Sequence, residues 1–205
     1  LTALGQAIRE VIGASGTDPS RIIAVAATAH GDGLYLLDHE GDPLGPGILS
    51  LDSRAVDVVA GWEGDGVDRA ALELTGQVPH VSAPSALLAW IEREEPERFA
   101  RIGHVLACKD WLCDCLCGHI GTDRTEASTS FTEARSQVYS RDALDLFGLS
   151  ELAEALPEVA HSAEIVGRVT AEAARATGLA EGTPVAAGLH DVTASALGIG
   201  APAET

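Results

Sequence analysis

The stretch that most constrains the fold runs from residue 183 to residue 200. A turn signal opens a short apolar run at Val185, Gly188 ends the run, and small residues with helical character follow His190 and Asp191. This order predicts a strand, a sharp turn and a helix, with Asp191 at the junction. Side chains at such a junction point into the crevice beyond the carboxyl end of the strand, where free N–H groups of the helix start stabilise negative charge.

The position of Asp191 allows two interpretations. A carboxylate in the crevice is well placed to take a proton from a bound hydroxyl group. The simpler alternative is that Asp191 only caps the helix, a role that aspartate fills well. Local sequence leaves both open.

A second acidic turn follows an earlier apolar segment. Residues 22–29 are small or β-branched without interruption, which predicts a strand covered on both faces, and its end carries His30, Gly31, Asp32 and Gly33. If this strand neighbours the one before Asp191, both carboxylates face one crevice. Oxygen acceptors of this kind commonly hold polyhydroxy ligands, so a sugar site is the hypothesis.

Each residue of these turns also has a purely structural interpretation. The sequence Gly31-Asp32-Gly33 suits a tight turn in which glycine adopts positive φ. His30 and His190 carry hydrogen-bond donors at the same strand ends, but single histidines are often structural. Ligand contact by either histidine therefore stays a hypothesis.

Helical and strand-like segments alternate along the rest of the chain, which predicts an α/β fold. Residues 34–38 and 45–50 are expected to be strands, and residues 121–137, rich in Thr, Ser and Glu, a long surface or active-site loop. The predicted helices include residues 1–14, 55–62, 67–75, 84–94, 171–177 and a helix from Lys109 to Gly118.

Composition excludes several classes of partner. Thirteen Lys and Arg against 31 Asp and Glu give a formal charge of −18, which argues against direct binding of nucleic acid or of an anionic membrane. The sequence contains neither a run of about 18 apolar residues nor a signal-peptide pattern. A cytoplasmic location is the expectation.

Four cysteines cluster within ten residues, and they raise the question of a metal. They are Cys108, Cys113, Cys115 and Cys117, with His104 and His119 on either side. Tetrahedral zinc normally takes ligands from two separated pairs, so one helix cannot enclose the ion without help from elsewhere. Free thiols in a reducing compartment are the favoured interpretation, with a metal-binding helix as the alternative.

Five segments, taken together, resemble the FGGY carbohydrate kinases in order and spacing. The segments are residues 27–38, 46–54, 109–112, 122–128 and 187–191. The resemblance runs through nearly the whole chain and is nearer to kinases of ketopentoses or pentitols, such as L-xylulose kinase, than to glycerol kinase.

The resemblance implies an α/β domain of the ribonuclease-H-like, actin-like ATPase fold, with a mixed sheet flanked by helices and lacking its first strands. Residues 1–205 would be the N-terminal sugar-binding domain, with the C-terminal ATP-binding domain absent. The implied reaction is ATP-dependent phosphorylation of a sugar or polyol with Mg²⁺ on the phosphates. The sequence itself contains no Gly-rich phosphate cradle, so ATP and Mg²⁺ would bind mainly outside this chain, which alone would be inactive.

The resemblance also assigns roles to individual residues. Asp191 would be the general base, and Gly31 and Asp32 would contact the sugar. Further substrate contacts would come from His190, His30, Ser82 and Val192, and no metal ligand is implied. The expected partner is a small sugar or polyol, and a homodimer is one assembly that the sequence allows.

Two departures from the family pattern leave an alternative open. Ser50 stands where many relatives carry Trp, and the cysteine-rich helix stands where they often carry Arg, Tyr or Thr. A non-catalytic sugar-binding or interaction module of the same fold is therefore the rival hypothesis, in which Asp191 would be only a helix cap.

Overall fold

A computed structural model describes residues 2–201 of the 205-residue chain. Ten α-helices and seven short strands are formed within this range. The helices are α1 (Thr2–Ser15), α2 (Val56–Asp65), α3 (Val67–Thr75), α4 (Pro84–Glu94), α5 (Pro96–Phe99), α6 (Cys108–Cys117), α7 (Arg124–Ala127), α8 (Arg141–Leu146), α9 (Ala171–Thr177) and α10 (Asp191–Gly198). The strands are β1 (Val25–Ala26), β2 (Tyr35–Leu37), β3 (His104–Leu106), β4 (Gly121–Asp123), β5 (Glu158–Ala160), β6 (Ile165–Arg168) and β7 (Pro184–Ala186). Two 3₁₀ turns lie at Pro19–Arg21 and Ser150–Ala155.

The two strands that precede the acidic turns are neighbours, which meets the condition that the sequence left open. β1 pairs with β7 in parallel, with Val25 opposite Val185, and β6 pairs with β7 antiparallel to complete a three-stranded mixed sheet. Because parallel strands end at the same edge of a sheet, the segments that follow β1 and β7 leave the sheet side by side. This pairing is what brings the two acidic turns together.

The prediction that residues 22–29 form a strand covered on both faces is wrong. Only Val25–Ala26 is paired, and the side chain of Ile23 is 89% exposed. In the described part of the chain β1 is an edge strand that pairs only with β7. The apolar residues around it therefore have a neighbouring strand on one side and none on the other.

The third predicted strand is also wrong. Within residues 45–50 a single bridge forms, in which Ile48 faces Leu34. β2 instead takes β3 as its main partner, with Tyr35 opposite Leu106. The proline and glycines of this segment explain the difference, since proline lacks an N–H donor and glycine weakens a strand interior.

The prediction that residues 121–137 form a long surface or active-site loop is wrong at its start, since residues 121–127 form regular secondary structure. They begin with β4, which pairs in parallel with β5, and continue directly into α7. Asp123 and Glu126 are buried here. Polarity was a misleading signal because the Asp123 side chain finds hydrogen-bond and ionic partners inside the molecule.

The helix predictions mostly hold. α3, α4 and α9 have the predicted bounds, and α3 and α9 each end at a glycine in the left-handed conformation, Gly76 at φ 75° and Gly178 at φ 79°. Glycine carries no Cβ penalty there, so it ends a helix readily. No helix among the described residues is long and apolar enough to cross a membrane.

The buried apolar residues that the structure describes form two clusters. The larger is built around α4 and the β2–β3 pair, with Leu87, Leu88 and Ile91 fully buried. The smaller packs α6 and α9 against β7 through residues such as Leu116 and Val185. Each buried aliphatic side chain contributes about 1.5–3 kcal/mol by removal from water.

Candidate functional site

Two glycines allow the turns after β1 and β7 to approach each other. Gly188 has φ 83°, and a Cβ at this position would strike the carbonyl oxygen of Ala27. A Cβ on Gly31 would fall on the imidazole ring of His190. A side chain at Gly188 would strike backbone atoms, and one at Gly31 would have to displace the ring of His190, so both glycines favour the close approach of the turns.

The two turns border one hollow of about 280 Å³. Its walls are largely polar, and they include Asp32, His80, Thr125, Thr129, His190 and Val192. Carboxylate, imidazole and hydroxyl groups together supply both donors and acceptors. A small ligand with several hydroxyl groups matches this wall.

Asp32 lies in the wall of the hollow in an uncommon backbone conformation. Its φ is 60°, in the left-handed region that aspartate enters more readily than most residues. The Oδ2 atom lies 3.4 Å from Nε2 of His80, and the Asp32 side chain is 23% exposed. The carboxylate therefore keeps access to the hollow while it is held by one neighbour.

Asp191 is the first residue of α10 and lies between two residues that line the hollow, His190 and Val192. Its side chain is 45% exposed. The Oδ1 atom accepts a hydrogen bond from the N–H of Val192 at 2.7 Å and lies 3.1 Å from Nδ1 of His190. One carboxylate oxygen is thus fixed locally.

The residue at the N-cap position of α10 is His190, not Asp191. Nδ1 of His190 lies 3.2 Å from the N–H of Val192 and 3.1 Å from Oδ1 of Asp191. The first contact needs an unprotonated Nδ1 and the second a protonated one. Because the N–H of Val192 is closer to Asp191, we assign the proton to Nδ1, which then donates to Asp191. His190 therefore orients the carboxylate.

The remaining predicted contacts lie behind or beside the hollow. Gly31 is buried against the ring of His190, and Ser82 is buried with its Oγ 3.3 Å from Nδ1 of His80. His30 turns away, with Nε2 3.4 Å from the hydroxyl of Tyr35. The structure thus brings Asp32, His190 and Val192 together around the hollow. Asp191 lies between two of these residues in the chain but is not itself a lining residue, and His30 does not line the hollow either.

Sequence reasoning missed several residues of the wall, among them His80 and Thr125. His80 follows the helix-ending Gly76 in a short connecting segment, and no spacing to Asp32 marks it in the sequence. Thr125 belongs to the motif at residues 122–128 that supports the resemblance, and that motif was the available signal.

The residue after Thr125 in the chain, Glu126, is a buried acid. Glu126 is 6% exposed and its Oε2 has no hydrogen-bond partner. Burial, and then the neighbouring charge of Asp110, raise the pKa of Glu126 to about 8. Its carboxyl group is therefore largely protonated at neutral pH.

The cysteines on α6 are free thiols. The Sγ atoms of Cys113 and Cys117 are 3.8 Å apart on one face of the helix. Within residues 2–201, no group of three or more His, Cys, Asp or Glu side chains is arranged to hold a metal ion.

The structure is an α/β domain with a polar hollow beside the turns that follow β1 and β7. Residues 1–198 match the N-terminal domain of the FGGY family of carbohydrate kinases. The chain belongs to this family, as the sequence motifs predict.

Similar proteins include L-xylulose kinases, which confirms the expected likeness. The chain is 41% identical over 191 residues to the L-xylulose/3-keto-L-gulonate kinase of Escherichia coli (strain K12), covering 93% of this chain and 38% of that protein. It is 39% identical over 199 residues to the probable L-xylulose kinase of Pasteurella multocida (strain Pm70), covering 97% and 41%. The chain thus spans about two fifths of the length of these relatives.

A solved structure confirms the expected fold. The xylulose kinase from Rhodospirillum rubrum superposes with a TM-score of 0.88 at 31% identity, covering 98% of this chain and 41% of that one. The ribonuclease-H-like, actin-like ATPase fold expected from the sequence is the fold of this chain.

Proposed function

We propose that residues 1–205 are the sugar-binding domain of an ATP-dependent kinase that phosphorylates a pentulose or pentitol, with Asp191 as the general base. The observation that carries the proposal is the single hollow bordered by both acidic turns, with Asp32 in its wall and Asp191 between two lining residues. A polyol bound there can donate hydroxyl protons to Asp32 while another hydroxyl faces Asp191. One carboxylate would bind and the other would react.

The surroundings of Asp191 support a role in proton transfer. The Oδ1 atom is held by His190 and by the N–H of Val192, and the partial exposure of the side chain leaves carboxylate surface open to a ligand. Positioned carboxylates of this kind contribute roughly 10²–10⁴-fold to rate. Removal of the hydroxyl proton makes the oxygen a stronger nucleophile toward a phosphoryl group.

The described residues do not fit ATP and magnesium. They form no cluster of metal-ligating side chains, and the formal charge of −18 opposes the approach of a polyphosphate. FGGY kinases as a family use ATP and a divalent metal. Both are therefore proposed to bind chiefly outside this chain. A homodimer and a cytoplasmic location stay predictions.

The relatives support the substrate class. Two of them are named for L-xylulose, and one of these also for 3-keto-L-gulonate. The solved neighbour is a xylulose kinase. A five-carbon ketose is consistent with a polar hollow of about 280 Å³.

The test is a substrate screen on the complete gene product with ADP release as the readout. Pentuloses, pentitols, hexoses and glycerol are compared at equal concentration. We expect the highest kcat/KM for a pentulose or pentitol. If the protein bound a sugar but released no ADP with any of these compounds, the non-catalytic module would be established instead.

A further inference from the structure

A buried ionic network connects the start of α6 with the end of β4. Nζ of Lys109, the only lysine in the sequence, lies 2.5 Å from Oδ1 of Asp110 and 3.0 Å from Oδ1 of Asp123. The three side chains are 1%, 3% and 0% exposed in that order. Burying charges this completely costs several kcal/mol per ion before pairing, so the arrangement calls for a specific role.

Asp123 is the centre of this network because both of its oxygens are fully used. Oδ1 faces Lys109 and accepts from the N–H of Glu126 at 3.3 Å. Oδ2 accepts from the hydroxyl of Thr125 at 2.8 Å, from the Thr125 N–H at 3.0 Å and from the hydroxyl of Ser162 at 2.6 Å. Burial alone would raise the pKa of Asp123, but the Lys109 ammonium and these hydrogen bonds outweigh it and lower the pKa below its ordinary value.

Thr125 connects this network to the turn after β7. Because its hydroxyl proton goes to Asp123, its Oγ1 presents a lone pair, which accepts from the backbone N–H of His190 at 2.9 Å. Lys109 makes a second, longer contact, 3.4 Å from Nζ to the carbonyl oxygen of Ala187. The turn is thus held on both sides of Gly188, whose φ of 83° sets its direction.

We propose that Lys109, Asp123 and Thr125 are positioning residues that hold the His190–Asp191 turn in the geometry needed for turnover. The inference rests on the proposed function, since it assigns these residues to the base. Asp191 is attached to the fold by the segment after β7 and by its own contacts to His190 and Val192. Without the Thr125 hydroxyl, the N–H of His190 loses its partner and the turn can shift.

The direct test compares two substitutions of Thr125 in the complete gene product. Thr125→Ser keeps the hydroxyl, while Thr125→Val keeps the shape and removes it. With the best sugar from the screen, we expect kcat to fall about tenfold or more in the Val variant with KM changed less than about threefold. The Ser variant should keep kcat within about twofold.

Thr125 also lines the hollow, so a direct sugar contact must be distinguished from positioning. Loss of a sugar contact alone would raise KM in the Val variant and leave kcat unchanged, and that result would overturn the proposal. Equal activity of the Val variant and the parent would also overturn it. Thr125→Ala serves as a second hydroxyl-free variant if the Val variant does not fold.

A double-mutant cycle separates this inference from the proposed function. If Thr125 acts through Asp191, Thr125→Val should cost less than about threefold in the Asp191→Asn background. Independent multiplication of the two losses would contradict the proposal while leaving Asp191 as the base. If the Asp191→Asn variant alone kept the kcat of the parent, the proposed function itself would be rejected.

Discussion

Gly31 and His190 are in direct contact across the two turns, and the imidazole ring occupies the place where any other residue at 31 would put its Cβ. The contact joins the end of the segment after β1 to the residue that orients Asp191. A side chain at position 31 would have to move the ring, which is 14% exposed. The relation between the two acidic turns therefore depends on the absence of a single methyl group.

The first prediction concerns this contact. In Gly31→Ala the His190 ring must rotate, so we expect kcat/KM for the sugar to fall roughly tenfold or more, about 1.4 kcal/mol or more of transition-state stabilisation. Steady-state kinetics on the complete gene product measure it. Gly61→Ala is the matched control, because a Cβ there meets no atom within 4 Å. Equal kinetics for the two variants would show that the contact is unimportant.

The second prediction concerns Asp32 and its neighbour His80. Asp32→Ala removes a charged acceptor from the wall of the hollow, so we expect sugar affinity to fall by about 1.5–3 kcal/mol. His80→Ala should weaken binding less, since His80 is 53% exposed and its distance to Asp32 is 3.4 Å. Isothermal titration with sugar alone measures both. A larger loss for His80→Ala than for Asp32→Ala would reverse the assigned roles.

The third prediction is a pH dependence of stability that comes from Glu126. The ordinary pKa is 4.5 and the folded value is about 8. The folded protein therefore keeps this proton where the unfolded chain releases it, and the free energy of unfolding should fall as pH rises from about 4.5 to about 8. The lowered pKa of Asp123 acts in the opposite direction, but only near and below its ordinary value of 3.8.

Glu126→Gln tests this dependence because an amide does not titrate. Thermal unfolding at a series of pH values measures the effect. We expect the melting temperature of this variant to decline less steeply between pH 5 and 8 than that of the parent. The decline should not vanish, since burial also raises the pKa of Asp110. The exposed substitution Glu97→Gln is the control, and an unchanged slope in Glu126→Gln would contradict the prediction.

Much of the fold was predictable because local signals and tertiary packing agree. The bounds of α3, α4 and α9 follow from apolar spacing together with a proline near the start or a glycine at the end. The error at residues 121–137 has a physical cause, since polar composition cannot show that Asp123 will meet Lys109. The structure of that segment depends on contacts with residues that are distant in the sequence.

The candidate site was predictable at its strand ends and less so elsewhere. Asp32 and Asp191 each follow an apolar run, so the parallel pairing of β1 with β7 sufficed to bring their turns together. His80 comes from the segment after α3, and only packing places it beside Asp32. The sequence predicts the first residue of a helix only to within one or two positions. It therefore could not show that His190, and not Asp191, takes the N-cap position of α10.

The central claim is that Asp191 removes the proton from the sugar hydroxyl, and kinetics of Asp191→Asn in the complete gene product test it most directly. Substitution by asparagine keeps the size of the side chain and removes its basicity. The account predicts that kcat falls by roughly 10²–10⁴-fold while the sugar dissociation constant stays within about threefold. A kcat within about threefold of the parent value would contradict it.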